Sequence, residues 1–329
     1  MSKQAFDRKI EALGSLRSHP DDPATVEQLR KALKDRNNYL VSKAAALAGE
    51  LAIRALVPDL AAAFDRFLAN ASKSDPQCWA KNTIAKTLKD LGHDDPAIFL
   101  RGISHVQMEP VWGAQVDTAA TLRGTCAHAL VACSLSRLET LTHLVDLLAD
   151  REKPVRVEAA RAMAQLPGPD SVLLLRLKAL AGDPEPEVTG QCFVALLELS
   201  SRDSLPFVAR FLDGEDPDMR VEAAAALGQC HEPEAVDLLK ESWNKQTDPE
   251  PKRAILLSLG TSRLPVAADF LLSVLENGRA DDALGAIEAL AAGRFREELR
   301  ERVNAAVNAR CDSKLIAFFN KKFGTSISS

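Results

Sequence analysis

Residues 154–163 read Pro-Val-Arg-Val-Glu-Ala-Ala-Arg-Ala-Met, and residues 218–227 read Asp-Met-Arg-Val-Glu-Ala-Ala-Ala-Ala-Leu. The two stretches match in register 64 positions apart, and a related segment over residues 187–196 lies between them. Self-similarity at a fixed spacing is the signature of a repeat architecture. This match therefore decides the fold prediction.

The repeat extends along most of the chain when the penultimate residue of the match is used as a ruler. It recurs at intervals of 41, 42, 33, 33, 31, 32 and 31 residues. The ruler positions are Ala46, Thr87, Ala129, Ala162, Ala195, Ala226, Ser258 and Ala289. We predict eight units, which are longer over residues 25–139 and regular over residues 140–292.

Each unit has the pattern of two helices. In one first helix, apolar residues follow the i, i+3, i+4, i+7 spacing at Leu141, Leu144, Val145 and Leu148. Prolines are predicted to begin first helices at Pro58, Pro206, Pro233 and Pro265. No run alternates apolar and polar residues over the length of a strand. The pattern therefore favours helices throughout.

A single helix pair is too small to bury its own apolar stripe, so neighbouring pairs must stack. We predict an all-α fold, an α-solenoid of about eight helix pairs that forms one domain over residues 1–329. Apolar residues near both ends indicate an N-terminal capping helix within residues 1–24 and a C-terminal cap over residues 293–329.

One unit carries a family motif. Residues 148–160 resemble a HEAT repeat, in particular the short bacterial unit of the phycobilisome-lyase type. The inter-helix aspartate and the early basic residue of that family match Asp150 and Arg156. The basic position is kept at Arg123, Arg220 and Lys252, and is replaced at Thr189 and Ala283. The resemblance specifies a fold, whereas HEAT arrays serve many unrelated functions.

The resemblance implies that the second helices line a concave face. The outward stripe predicted on these helices is mixed in charge and poor in aromatic residues, which suits a polypeptide better than a polyanion. Its candidate partner-binding residues are His128, Glu158, Arg161, Gln165, Gln191, Glu198, Glu222 and Gln229. An ordinary solvated face is the alternative.

The long early units must contain extra loop residues. One such segment, residues 106–116, carries glycine, proline, Met108 and Trp112. Extra segments of repeat proteins often lie on the binding face, and Met108 and Trp112 would suit an anchor. The alternative is a loop that folds back to cover an apolar seam. Trp79 and Trp243 fall on helical apolar stripes and are predicted to lie in the core.

Composition excludes several classes of protein. The chain has 329 residues, 46% of them hydrophobic, and a formal net charge of −5, which excludes a disordered chain and makes a nucleic-acid partner unlikely on charge grounds. Residues 151–293 carry a net charge of −9 and residues 294–329 a net charge of +4. The acidic block could steer a basic partner, and the basic end could contact an anionic surface or nucleic acid. Acidic residues that fill turns and a cationic cap are the simpler explanations.

The sequence lacks an apolar run long enough to span a bilayer, and its first ten residues lack the apolar core of a secretory signal. Its six cysteines are scattered, which is typical of small buried side chains in a reducing compartment. We therefore expect a cytoplasmic protein.

Enzymatic functions within the resembling families find little support. Deoxyhypusine hydroxylase needs several His-Glu pairs to hold two irons, and here only His231-Glu232 is present, in a connection. Nothing marks the tetrapyrrole groove of a bilin lyase. The sequence therefore predicts a non-catalytic scaffold for a protein or peptide partner, with no cofactor and no metal. A cofactor-handling enzyme related to those two families is the alternative.

Overall fold

The computed structural model describes residues 3–18 and 22–324. Its contacts divide the chain into two compact units, residues 1–166 and 167–329. Each unit is built of stacked helix pairs, which confirms the predicted α-solenoid class. Parts of both predicted caps, residues 1–2, 19–21 and 325–329, lie outside the described residues. The single continuous domain over residues 1–329 stays a prediction.

Unit 1 consists of a leading helix, four helix pairs and one hairpin in its described part. The elements are α1 (Lys3–Ser15), α2 (Pro23–Leu33), α3 (Asn38–Glu50), α4 (Val57–Leu68), the single turn α5 (Ala71–Ser74), α6 (Trp79–Asp90), α7 (Pro96–Ile103), β1 (Met108–Val111), β2 (Ala114–Asp117), α8 (Ala120–Leu130), α9 (Arg137–Leu148) and α10 (Lys153–Met163). The second helices α3, α6, α8 and α10 pack against one another in sequence.

Unit 2 contains five helix pairs over residues 167–324. Its helices are α11 (Pro169–Ala181), α12 (Pro186–Leu199), α13 (Ser201–Ala209), α14 (Pro217–Gln229), α15 (Pro233–Lys245), α16 (Pro249–Thr261), α17 (Pro265–Asn277), α18 (Ala280–Ala292), α19 (Arg296–Ala309) and α20 (Ser313–Phe323). Here α12, α14, α16, α18 and α20 form the stack of second helices.

The predicted helix starts are correct at Pro58, Pro233 and Pro265, which occupy first-turn positions. The prediction for Pro206 is wrong, because α13 begins five residues earlier at Ser201. The Ser200 hydroxyl donates a hydrogen bond to the carboxylate of Asp203 at 2.9 Å, which fixes the first turn upstream of the proline.

Close approach of the second helices is built into their sequence. A Cβ at Gly228 would collide with the carbonyl oxygen of Ser258, and one at Gly260 would collide with that of Ala289. Only glycine allows backbones this near.

The repeat position predicted at Ala46 is off by one residue. In α3, Ala44, Ala45, Leu47 and Ala48 are buried, whereas Ala46 is exposed. Leu47 therefore occupies the repeat position predicted for Ala46.

A buried cation connects successive repeats in unit 1. Arg123 lies six residues before the ruler position Ala129 and is 3% exposed. Its guanidinium donates to Asp117 of its own unit at 2.6 Å and to both carboxylate oxygens of Asp150 at 2.9 and 3.0 Å. It also donates to the carbonyl of His105. Asp150 begins the second half of the next repeat, so one side chain fixes the spacing between two repeats.

A partly buried form of this link recurs at two of the other predicted basic positions, Arg220 and Lys252. Arg220 donates to the carbonyl of Gly214 and pairs with Asp248 at 2.9 Å, and Lys252 pairs with Asp282 at 2.9 Å. Arg156 donates to the carbonyl of Asp150, within its own turn. These contacts give the basic positions of the repeat a structural role.

Sequence reasoning missed one member of this set. Lys81 lies six residues before the ruler position Thr87, and the ruler alone would have identified it. Its side chain and that of Asp75 are fully buried and form an ion pair of 3.0 Å. The Asp75 carboxylate also accepts the backbone N–H groups of Ala80 and Lys81, which compensates for its loss of water.

The end helices cover the exposed ends of each stack. Helix α1 packs against α3, with Leu13 and Leu16 buried close by. Helix α20 packs against α18 and buries Leu315, Phe319 and Phe323. The capping roles of residues 1–24 and 293–329 stay predictions.

We predict that Arg123→Met lowers the free energy of unfolding by about 3 kcal/mol or more, because it leaves the buried Asp117 carboxylate without its cation. Urea denaturation followed by helical circular dichroism measures the effect. Arg101→Met is the matched control, since the Arg101–Asp65 pair is about half exposed on both sides, and its loss should cost less than about 1 kcal/mol. Equal effects of the two substitutions would contradict the structural role of Arg123.

Candidate functional site

The segment predicted as a loop forms an antiparallel hairpin. Met108 pairs with Asp117 and Val111 with Ala114, so Trp112 and Gly113 make a two-residue turn. Gly113 has a φ of 79°, which favours glycine. The prediction of an irregular loop without strands is therefore wrong here, because a short turn with glycine at the position of positive φ closes a strand pair.

The base of the hairpin is held by buried polar groups. The Asp117 carboxylate accepts the backbone N–H groups of Gln107 and Ala119, both at 3.0 Å, as well as the guanidinium of Arg123. Burial raises the pKa of Asp117, but these hydrogen bonds outweigh it and hold that pKa below its ordinary value. The Gln107 side chain also donates to the carbonyl of Asp75 at 2.9 Å.

A second set of contacts ties β1 to the turn before α6. Both carboxylate oxygens of Glu109 accept the backbone N–H of Gln77, at 2.9 and 3.0 Å. Gln77 and Cys78 adopt positive φ angles of 59° and 56°, a strained conformation for residues other than glycine. The hairpin base is therefore attached to the turn that contains Asp75, whose side chain forms the buried ion pair with Lys81.

The hairpin tip is apolar and exposed to solvent. Trp112 in the turn is 107% exposed, and Val111 and Val116 in the strands are also exposed. Met108, which is 48% exposed, and Val106 lie at the base of the hairpin and extend this apolar surface. No charged residue lies between Pro110 and Val116. Because the Trp112 side chain faces water, the alternative of a cover over an apolar seam is contradicted for the tip.

Four predicted residues of unit 1 form one hydrogen-bonded cluster. His128 Nε2 lies 2.8 Å from Glu158 Oε2, and His128 Nδ1 lies 2.7 Å from Gln165 Nε2. Arg161 donates to the other oxygen of Glu158 at 2.7 Å. The hydrogen bond from His128, followed by the charge of Arg161, lowers the pKa of Glu158 against the opposing effect of burial. The four predicted partner-binding residues of unit 1 are therefore paired with one another.

Two of the four predicted residues of unit 2 line a groove of about 510 Å³. Glu198 and Gln229 line it, together with the apolar side chains of Val194, Leu197 and Ala226. Its lining also includes His231 and Glu232, in the connection between α14 and α15.

The other two, Glu222 and Gln191, do not line the groove and lie on α14 and α12, two helices that contribute lining residues to it. The Glu222 carboxylate rests over Gly190, where any Cβ would collide with it. Burial, with the nearby negative charges of Glu187 and Asp218, raises the pKa of Glu222. Glu222 therefore occupies an unfavourable electrostatic environment.

The two tryptophans predicted to lie in the core, Trp79 and Trp243, differ in their exposure to solvent. Trp79 is 46% exposed, so that prediction is wrong. Trp79 lies at the first residue of α6 and packs edge-on to Tyr39, which in turn contacts Phe6. Trp243 is half-buried against the ring of Phe270, with Lys252 Nζ 4.3 Å from its centroid.

The basic C-terminal end is largely engaged with the chain itself. Lys322 pairs with Glu288 at 2.8 Å, and Arg302 pairs with Asp269 at 3.4 Å. Arg296 and Arg310 donate to backbone carbonyls. These contacts explain much of the positive charge as part of a cap and weaken the alternative of an anionic-surface site.

Within the described residues, no group of three or more His, Cys, Asp or Glu side chains has an arrangement that could hold a metal ion. The His231-Glu232 pair lies in the connection where the sequence placed it. No helix in the described ranges is both long and apolar enough to cross a lipid bilayer.

The sequence matches the HEAT-repeat family over residues 173–258 and 208–291. Residues 173–291 of the chain are therefore HEAT repeats. This confirms the recognition made from residues 148–160, and the matched repeats are regular ones of unit 2. No curated protein matches the chain.

Several solved structures are similar to this HEAT-repeat protein. Human deoxyhypusine hydroxylase in complex with glycerol is 16% identical over 78% of this chain and 96% of that chain, with a TM-score of 0.30. The complex of CpcE and CpcF of phycocyanin lyase from Nostoc sp. PCC7120 is 18% identical over 79% and 94%, with a TM-score of 0.36. Kap121p bound to Pho4p is 13% identical over 98% of this chain and 45% of that one, with a TM-score of 0.44.

We predict opposite effects of two matched substitutions on stability at neutral pH. Glu158→Gln should lower the free energy of unfolding by about 0.5–1 kcal/mol, because a carboxylate with a lowered pKa stabilises the folded state above the ordinary carboxyl pKa. Glu222→Gln should raise it by about 0.5 kcal/mol, because a carboxylate with a raised pKa destabilises the folded state when ionised. Thermal unfolding at pH 7 and pH 4 measures both.

Acidification should shrink both differences. The contribution of Glu158 is lost as the pH falls through its lowered pKa, and the penalty at Glu222 is relieved once that group is protonated in the folded state. Effects of the same sign for the two variants at pH 7 would contradict the electrostatic difference between the units.

Proposed function

We propose that this HEAT-repeat protein is a non-catalytic scaffold that binds a polypeptide partner through the hairpin tip and the second-helix face. The observation that carries the proposal is the full exposure of Trp112 at the end of a hairpin with a buried polar base. Large aromatic side chains with this exposure are typical anchors of protein interfaces.

The hairpin is suited to binding because its shape is fixed in advance. Its base is held by Asp117, Gln107 and Glu109, so a partner need not order the backbone when it binds. Preorganisation of this kind lowers the entropic cost of association. An apolar tip without charged residues also loses little hydration on burial, which favours an apolar patch on the partner.

The second-helix face supports the same function with a different surface. Unit 1 offers paired polar groups on its second helices, and unit 2, taken by itself, offers an open groove lined by polar and apolar side chains. Mixed polar and apolar surfaces of this kind are typical of protein interfaces. A cytoplasmic location stays a prediction from the sequence.

We predict that Trp112→Ala, combined with Met108→Ala, removes at least one specific protein from those captured from a lysate of the source cells on the immobilised chain. Truncation of a central aromatic anchor typically weakens binding by more than 2 kcal/mol. Quantitative mass spectrometry of the eluates is the measurement. Leu138→Ala is the matched control, because Leu138 is 77% exposed but lies on α9, outside the hairpin. An unchanged set of captured proteins would remove the hairpin from the interface.

The alternative of a cofactor-handling enzyme is tested on the same preparation. We expect purified protein to show no absorption band in the visible range and no stoichiometric metal by elemental analysis. A bound chromophore or one or two equivalents of iron would contradict the non-catalytic assignment and favour a relative of bilin lyase or deoxyhypusine hydroxylase.

A further inference from the structure

Glu158 in unit 1 and Glu222 in unit 2 occupy the same position of the repeat, four residues before the ruler positions Ala162 and Ala226. Each carboxylate side chain packs over a glycine of the preceding second helix, Gly124 for Glu158 and Gly190 for Glu222. The two glutamates therefore occupy the same frame, by which we mean a glutamate of one second helix packed on a glycine of the preceding second helix. The side chains around each glutamate can be compared position by position.

In unit 1 the frame is filled by cationic and hydrogen-bonding side chains. His128 contributes Nε2 at 2.8 Å and Arg161 contributes Nη1 at 2.7 Å, so each oxygen of Glu158 has a partner. Both partners come from the position immediately before a ruler residue. The frame thus accommodates a guanidinium beside the carboxylate.

In unit 2 the two partner positions hold apolar residues. Val194 stands where His128 stands, and Ala225 stands where Arg161 stands. No hydrogen bond or ion pair reaches Glu222 within residues 167–324. The groups that act on it are the carboxylates of Glu187 and Asp218, which with burial raise its pKa. Unit 2 therefore keeps the contact between glutamate and glycine, but it has no counterpart of Arg161 beside the glutamate.

The surface next to Glu222 is partly open, since Glu222 and the two apolar residues at the partner positions, Val194 and Ala225, are all partly exposed. The groove of about 510 Å³ begins one turn further along α14, at Ala226, and is lined on α12 by Val194 and Leu197. A long basic side chain can lay its methylene stem on partly exposed apolar side chains such as Val194 and Ala225 while its charged head reaches a carboxylate. Residues 151–293 carry a net charge of −9, which favours approach of a basic partner.

We propose that unit 2 binds an arginine side chain of a polypeptide partner at Glu222, in the place that Arg161 fills beside Glu158. The partner's guanidinium replaces the missing internal cation, and its stem lies over Val194 and Ala225. Arginine is favoured over lysine because its planar donors can contact both carboxylate oxygens. The proposal rests on the proposed function only in taking the partner to be a polypeptide.

A direct binding experiment tests this proposal with a defined probe. The probe is a fluorescein-labelled peptide of 12 residues, built of alanine, leucine and three arginines, and its control replaces each arginine by neutral citrulline. Fluorescence anisotropy with the full chain at 150 mM NaCl should show binding of the arginine peptide alone. Glu222→Gln should weaken it about tenfold, as loss of a half-buried charge partner does. Glu276→Gln changes the net charge equally on an exposed site of α17 and should leave the affinity within twofold.

A second variant fills the site from within. Ala225→Arg restores the cation of unit 1 three residues after the carboxylate, so it should raise the melting temperature by about 1–2 °C and weaken peptide binding about tenfold. The stabilisation should vanish in the double variant Ala225→Arg with Glu222→Gln, which distinguishes an ion pair with Glu222 from a general gain in helix propensity.

The outcomes separate this proposal from the proposed function. Equal affinity for the citrulline peptide, or equal binding by wild type and Glu222→Gln, overturns the arginine site while leaving hairpin-dependent protein capture intact. Equal weakening by Glu276→Gln also overturns it, since the attraction would then be general. Loss of hairpin-dependent capture with arginine binding retained overturns the role of the hairpin alone.

Discussion

The structure depends on cations that bridge successive helix pairs, of which Arg123 is buried. Arg123 pairs with an aspartate of its own turn and with the aspartate of the next repeat, and the partly buried Arg220 and Lys252 repeat the contact to the next repeat. A helix pair has no stable core by itself, so the spacing between pairs must be specified from outside it. A charged group buried between two turns specifies that spacing strictly, because displacement of either turn leaves a buried charge unpaired.

The fold followed from the sequence wherever the repeat was strict. The helix pairs and the basic positions at Arg123, Arg220 and Lys252 were all visible in the pattern. The deviations share a physical cause, since local signals there compete with tertiary contacts. Pro206 indicates a helix start, but α13 begins upstream next to the Ser200–Asp203 contact. Ala46 continues a run of alanines, and only burial shows that Leu47 holds the repeat position.

The candidate site was less predictable than the fold. The sequence brought Met108 and Trp112 to notice, but the hairpin that presents them depends on contacts of Gln107 and Asp117 with residues far away in the chain. The repeat register placed His128, Glu158 and Gln165 on the same predicted helix face. It did not show that their side chains form hydrogen bonds with one another. Lys81 was missed because it lies in an irregular unit, although the ruler position of Thr87 marks it. A pattern of residue types identifies which face of a helix a side chain lies on. Only the three-dimensional contacts show whether that side chain is already paired with another residue.

The hairpin separates the residues that hold it from the residues that it displays. Its anchoring groups lie in or next to the strands near the base, and its tip is a two-residue turn flanked by solvent-exposed side chains. Changes at the tip therefore leave the helix stack almost untouched, whereas changes at the base reach the buried ion pairs. Such a division lets recognition diversify between descendants of one ancestral array without renewed selection for folding, much as variable loops do on a constant framework.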